Sequence, residues 1–280
     1  MLFADTLIED GDNYRFLVQS AADVFGMSLA SVEDLTGLAS DLTPLRGGTD
    51  AERAAMVATR KNELASLRHL TSARIPGLVW LADGRTPWEV FRHERYLGNS
   101  RIDPCSKILK RELLDRWTRE HCADDVTHYL GLDWTEPGRQ ERFKAAFSPR
   151  QTAFPMAEEP LLPKSLVLQS ARERGLTPPR LYDFGFKHAN CGGWCCKSGQ
   201  AQAKSLLDWL RDYYLFCEQE EQSLREYLGK DIAALRDRRG GQSKPLPLRV
   251  LRERIEAGGQ CDMSDIGACH CFELEEEVAA

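Results

Sequence analysis

The sequence predicts an α/β protein, a parallel sheet flanked by helices, with a helical cysteine-rich region after it. Short apolar runs of strand length alternate with stretches of helical periodicity over about the first 135 residues, a pattern that pairs strands in parallel under helices on both faces. From Glu136 the strand signals thin out and prolines and helices take over. The chain therefore divides into an α/β core at residues 1–135 and a helical region at 136–280.

In order, LFADT is an apolar run capped by Asp5 and Thr6, and IEDGDN supplies turn residues. YRFLVQSAADVFG places Phe16, Leu17, Ala21, Val24 and Phe25 at helical spacing. MSLASVEDL reads as a short strand, residues 50–69 as an amphipathic helix, and GLVWLA at 77–82 as another strand. After the turn DGRT, Pro87 opens a helix to about Leu97. CSKILKRELLDRWTREH is helical and VTHYLGLDW reads as a strand. Helices are expected at about 163–174, 197–218, 219–228 and 246–257, with a mobile charged loop at 229–247.

At 42% hydrophobic and 29% charged, the composition is that of a globular chain. No apolar run reaches membrane-spanning length, and the N-terminus lacks secretory-signal features, so a cytoplasmic location is expected. A net charge of -6 argues against duplex nucleic acid as a partner. Nine cysteines are the compositional oddity, and in a reducing compartment their clustering points to metal, iron–sulfur or redox chemistry.

Two cysteine clusters carry that chemistry. In HANCGGWCCKSGQAQ, Cys191 and Cys195 flank two glycines that let the backbone fold tightly, and a following helix start favours thiolate. In CDMSDIGACHCF, Cys269 and Cys271 flank His270. Together the pairs would make four soft ligands for zinc or an iron–sulfur cluster; the alternative is buried or incidental thiols. Cys196 reads as a spare, and His188 and His270 as hydrogen-bonded structural histidines. Arg101, Lys107, Lys110 and Arg111 cluster at a helix start where phosphate or sulfate would sit well, or form a solvated face paired with Glu112 and Asp115. Cys105, just before that helix, is an activated thiol or a buried filler. RGGTD at 46–50 has the residues of a phosphate-cradling turn, but Thr49 or Asp50 as a helix cap accounts for them.

Together these stretches resemble the family of phosphoadenosine phosphosulfate (PAPS) reductases and ATP pyrophosphatases, the adenine nucleotide alpha hydrolases, and within it a phage and prophage branch. FADTLIED resembles that family's second strand; GRTPWEVF and GNSRIDPCSKILKRELLDRW its anion-binding segment; YLGLDW its fourth strand. PPRLYDFGFKHANCGGWCCKSGQAQ, LGKDIAALRDRR and DIGACHCF are similar to segments that follow in the branch in this order. In sulfonucleotide reductases a cysteine pair that helps bind an iron–sulfur cluster occupies the position of Cys105 and Ser106; here only the first is cysteine.

The resemblance implies an enzyme that uses ATP or a PAPS-like nucleotide, cleaving at the α-phosphate to activate an acceptor or, second, reducing a sulfonucleotide. Asp5 and Thr6 would approach the nucleoside; Arg101, Lys107, Lys110 and Arg111 would neutralise phosphate or sulfate. Cys191, Cys195, Cys269 and Cys271 would hold zinc or an iron–sulfur cluster. Family members open with a strand and a Ser-Gly-Gly-x-Asp-Ser turn ahead of the strand that carries Asp5, and nothing here matches it. This chain is accordingly expected to lack the first strand and its cradle of N–H donors, to bind nucleotide poorly as it stands, and to leave sheet edges unpaired unless a partner, such as a second copy in a homo-oligomer, fills the gap. The rival expectation is a non-catalytic module that keeps the nucleotide fold and a metal-stapled region and acts through a protein partner.

Overall fold

The computed structural model describes residues 1–99 and 101–267, so Cys269, His270 and Cys271 lie outside the described residues. It is a mixed α/β structure of small sheets and many helices, divided into two compact units: Met1–Leu113 with the chain from Pro179 onward, and Leu114–Pro178.

Strand β1 (Leu2–Asp5) pairs in parallel with β2 (Val79–Ala82), Leu2 opposite Val79 and Asp5 opposite Ala82. The crossover that parallel pairing demands consists of α1 (Gly11–Val24), α2 (Glu33–Ser40) and α3 (Asp50–Arg74). Asp10 caps α1 by accepting from the Asp12 amide, and Tyr14, Val18, Ala21 and Ala22 bury one face. Helix α3 starts at a capping box in which Thr49 and Glu52 exchange bonds, so the glycine pair of RGGTD leads into a helix cap. Apolar residues of α1, α2, α3 and β2, among them Leu35, Leu64, Leu67 and Trp80, close one core. Then come α4 (Pro87–Glu94), the short α5 (Pro104–Ser106) and a wide π turn over Lys107–Glu112.

The expected strand MSLASVEDL is instead a 3-10 turn (Leu29–Val32) and α2. Glu33 and Asp34 in the first turn favour a helix start, and Leu35 and Ala39, four apart, bury a helical stripe that a strand would split between two faces.

The second unit contains α6 (Leu113–His121), β3 (Thr127–Tyr129), α7 (Pro137–Phe147), β4 (Gln151–Ala153) and α8 (Lys164–Glu173). β3 and β4 are parallel, Thr127 opposite Gln151, and the His128 ring lies 4.6 Å from that of Phe147 on α7. The expected strand VTHYLGLDW is thus reduced to three residues, and its partner is β4 rather than β1 or β2. Asp133, four residues beyond the strand, turns the chain toward α7: its carboxylate accepts from the Thr135 amide at 2.8 Å and hydroxyl at 2.6 Å, and its carbonyl accepts from the Gln140 side chain. The boundary expected near residue 135 falls inside this unit.

Back in the first unit are α9 (Arg180–Asp183), a 3-10 turn at Asn190–Gly193, α10 (Gln200–Trp209), α11 (Arg211–Leu228), β5 (Leu235–Asp237), β6 (Lys244–Leu246) and α12 (Leu248–Glu256). The helical stretch after Lys197 breaks at Leu210, whose φ of -134° and ψ of 53° are not helical, rather than near 218. The expected mobile loop is a β-hairpin, Leu235 opposite Leu246, pinned by Arg236 donating to Ser243 and by Asp237 accepting from Arg239 and Arg254. Phe91, Leu181, Leu206, Tyr214, Phe216 and Leu251 belong to the core of these elements. Among the described residues no helix is long and apolar enough to cross a membrane.

Candidate functional site

At the C-terminal end of β1, residues 5–10 fold into a short loop tied down on all sides. Asp5 is 1% exposed and its carboxylate is enclosed: it accepts from the Tyr14 hydroxyl (2.6 Å), the Leu7 amide (2.7 Å) and the Trp80 indole (3.0 Å). Tyr14 and Trp80 stack on each other with ring centroids 5.5 Å apart. Burial pushes the Asp5 carboxyl up, and the three hydrogen bonds and Arg60 oppose that push. The buried Arg60 guanidinium donates to the carbonyls of Thr43 (2.7 Å) and Glu9 (2.6 Å), holding the loop from below. Asp5, expected at a nucleoside, therefore has its carboxylate turned into the core.

Glu9 faces the other way. It accepts from the Thr6 hydroxyl at 3.1 Å and from the Cys191 amide, and it lies 3.8 Å from the Lys110 ammonium. Burial raises its carboxyl and Lys110 pulls it back down. Lys110 reaches this point from the π turn, a geometry that recurs at functional sites in helices. Burial works against its positive charge, yet Cys191, Glu9, Cys195 and Cys105 around it raise its pKa and keep it an ammonium. Thr6 also places its hydroxyl 4.0 Å from the Cys191 sulfur.

The thiol-rich turn is built from backbone that few residues tolerate. Cys191, Gly192 and Gly193 all have positive φ, at 53°, 64° and 93°. A Cβ on Gly192 would stand 2.8 Å from both the Ile8 carbonyl and the Tyr213 ring, so only glycine lets the turn lie against the β1 loop. Tyr213 fastens the contact by donating to the carbonyls of Cys191 (2.9 Å) and Ile8 (3.3 Å). Beyond Trp194, which stacks on Trp88 at 4.4 Å, the chain folds into a second turn in which the Lys197 amide donates to the Cys195 sulfur at 3.5 Å. Burial pushes the Cys191 thiol up, Glu9 adds to that, and Lys110 acts against both. Cys196 is buried with its sulfur 4.0 Å from that of Cys105.

The four predicted cations do not converge. Lys110 alone turns in to Glu9 and the thiols; Lys107 lies 3.5 Å from Glu112, Arg111 lies 3.5 Å from Asp103, and Arg101 is exposed on the preceding loop. Cys191 and Cys195 both lie near enough to Lys110 to act on its charge, and their expected partners Cys269 and Cys271 are outside the described residues. Among the described residues no group of three or more His, Cys, Asp or Glu side chains is arranged to hold a metal ion. The last described residue, Gly267, nonetheless forms an antiparallel bridge with Ser198, and a Cβ on it would meet the Lys197 carbonyl at 2.4 Å. Sequence reading singled out neither Glu9 nor Arg60; an acidic residue four places after the strand-ending Asp5 was the available signal for the first.

Beside this cluster opens a cavity of about 720 Å³, lined by Glu9, Asp12, Arg60, Arg180, Trp209 and Tyr213 among others. That volume lies within the roughly 300–1,000 Å³ of small-molecule sites. Asp10, Asp41 and Asp212 also line it, so its wall carries more carboxylates than guanidinium groups. Arg180 is held to Asp10 at 2.8 Å. Comparison of the chain with family models, with curated proteins and with solved structures found no match.

Proposed function

We propose that the chain is an adenine-nucleotide-dependent enzyme of the PAPS reductase and ATP pyrophosphatase type, acting at the α-phosphate or on a sulfonucleotide. One observation carries the reading: three segments that resemble that family, FADTLIED, GNSRIDPCSKILKRELLDRW and HANCGGWCC, meet at the C-terminal end of β1 through Thr6, Glu9, Lys110 and Cys191. Ligands of parallel α/β proteins bind beyond the carboxyl ends of the strands. The carboxylate-rich cavity repels phosphate but offers acceptors to ribose hydroxyls and base amino groups, so it suits the nucleoside, with the phosphates toward Lys110.

The same reading gives Cys191 and Cys195, with Cys269 and Cys271, to zinc or an iron–sulfur cluster. The donor set is soft sulfur, the Lys197 amide already donates to Cys195, and Gly267, two residues before Cys269, pairs with Ser198. Such a centre would order the C-terminal chain against the turn; no step of the reaction is assigned to it. The rival, a non-catalytic module acting through a partner, is favoured by the sheet itself: among the described residues β1 pairs with β2 alone, leaving one edge for another strand.

Calorimetric titration of the reduced full chain with ATP and with adenosine, followed by assay of pyrophosphate release, tests the proposal. ATP is expected to bind more tightly than adenosine, and Lys110→Met to reduce that preference. Absence of binding by either ligand would leave the partner-dependent module. Metal analysis after anaerobic purification should find metal in the wild type and none in the Cys195→Ser, Cys271→Ser double variant; full retention of metal removes the ligand assignment.

A further inference from the structure

Outside the four proposed ligands, two thiols face each other. Cys105 begins the helical segment that carries Lys110 and is half-buried; Cys196 lies in the thiol-rich turn and is 1% exposed. Their sulfurs are 4.0 Å apart across 91 positions of sequence. The contact is enclosed from a second side, because a Cβ on Gly98 would stand 2.7 Å from the Cys196 sulfur, so residues 98 and 105 both lie against Cys196. Of the other described cysteines of this unit, Cys195 also lies against Cys196, whereas Cys217 is fully buried in the core and the Cys261 thiol donates to the Gln200 carbonyl at 3.4 Å.

We propose that Cys105 and Cys196 are a reactive dithiol that low-molecular-weight disulfides convert to an intramolecular disulfide, locking the Lys110-bearing segment to the thiol-rich turn. A disulfide bond is about 2.0 Å long, so the sulfurs must close by about 2 Å, within the reach of a rotation of the Cys105 side chain about its Cα–Cβ bond. The more accessible Cys105 attacks one sulfur of the small disulfide, forming a mixed disulfide and releasing one small thiol. Cys196 then attacks the Cys105 sulfur, the protein disulfide forms, and the second small thiol leaves. Two protein thiols are oxidised, one small disulfide is reduced to two thiols, and the two protein protons end on the released thiols. The inference rests on thiol geometry and not on the nucleotide reading.

The test uses the full chain, reduced and desalted without oxygen, then incubated with oxidised glutathione, alkylated and digested with trypsin. The wild type is expected to lose two of its nine thiols and to yield a cross-link between the peptides of residues 102–107 and 188–197. Cys195→Ser should keep that link, and Cys196→Ser should lose it and leave glutathione on Cys105. Because Cys196 is buried, Cys105→Ser serves as a second variant: it too should lose the link, with an unchanged circular dichroism spectrum. A link that survives in Cys196→Ser, a link lost in Cys195→Ser, or a wild type whose Cys105 stays free or only glutathionylated overturns the proposal. ATP titration of the same reduced protein is scored separately, so a missing cross-link with intact ATP binding sinks this inference alone, and the reverse outcome sinks only the nucleotide reading.

Discussion

Asp5 and Glu9 are two carboxylates four residues apart on one loop, and both are almost entirely buried, at 1% and 2% exposure. Burial raises the pKa of each. Their surroundings set them apart. Asp5 is closed in by a phenol, an indole and a backbone amide of the core, none of which a ligand could reach without unfolding the unit. Glu9 is held by a hydroxyl and an amide, faces the only partly buried Lys110, and lines the large cavity. Burial and a shifted pKa thus mark both a structural and a functional candidate, and the identity of the partners separates them.

Substitution is the most direct way to break that comparison. Asp5→Ala leaves the Tyr14 hydroxyl, the Trp80 indole and the Leu7 amide without their acceptor, which at about 1 kcal/mol or more for each orphaned group should cost at least about 3 kcal/mol, measured by denaturant unfolding. A loss below about 1 kcal/mol would mean that the cage is not what holds this loop. Glu221 extends the comparison to a third buried carboxylate. Burial lifts its pKa to about 7 against the amides of Leu248 and Ala234 that donate to it. The folded chain binds this proton more tightly than the unfolded one, so the group's contribution is complete below the unfolded value of 4.5 and is lost as pH rises through about 7. Glu221→Gln should flatten the fall in stability between these pH values by up to about 3 kcal/mol, read from unfolding curves at several pH values.

Lys110 and Lys107 sharpen the functional side. Removing one charge-assisted contact is worth about 1.5–3 kcal/mol, so Lys110→Met should weaken ATP binding about tenfold or more, while the exposed Lys107→Met should change it less than about twofold. Equal effects would assign both to a general positive field. The smallest expected change is the stability of Glu9→Gln, within about 1 kcal/mol of wild type, because the amide oxygen can stay on the Cys191 amide while its NH2 group donates to the Thr6 hydroxyl, which can accept as well as donate. A loss as large as that of Asp5→Ala would erase the distinction between the two carboxylates.

Elements whose signals are local were legible in the sequence. The Thr49–Glu52 cap, the Pro87 helix start and the strand–loop–helix opening each depend on a few neighbouring residues. The helix break at Leu210 has no glycine or proline to announce it, and the strands of the 235–246 hairpin are three residues each, too short to show alternation. The thiol-rich turn was visible because its cysteines and glycines are adjacent. Cys196 read as a spare because its partner is 91 positions away, and no spacing rule spans such a distance. Nor does composition tell which of four neighbouring cations turns inward.

That last choice is made by the wide turn over Lys107–Glu112. With i→i+5 bonding each residue advances less around the axis than in a regular helix, which carries Lys110 farther from the side shared by Lys107 and Arg111. The insertion thereby acts as an indexing notch: deleting one residue from it would rotate the side chains by about 100° and swing the single inward ammonium out to water. A one-residue change of length, with no change of charge or composition nearby, would decide whether Glu9 and Cys191 have the Lys110 ammonium beside them.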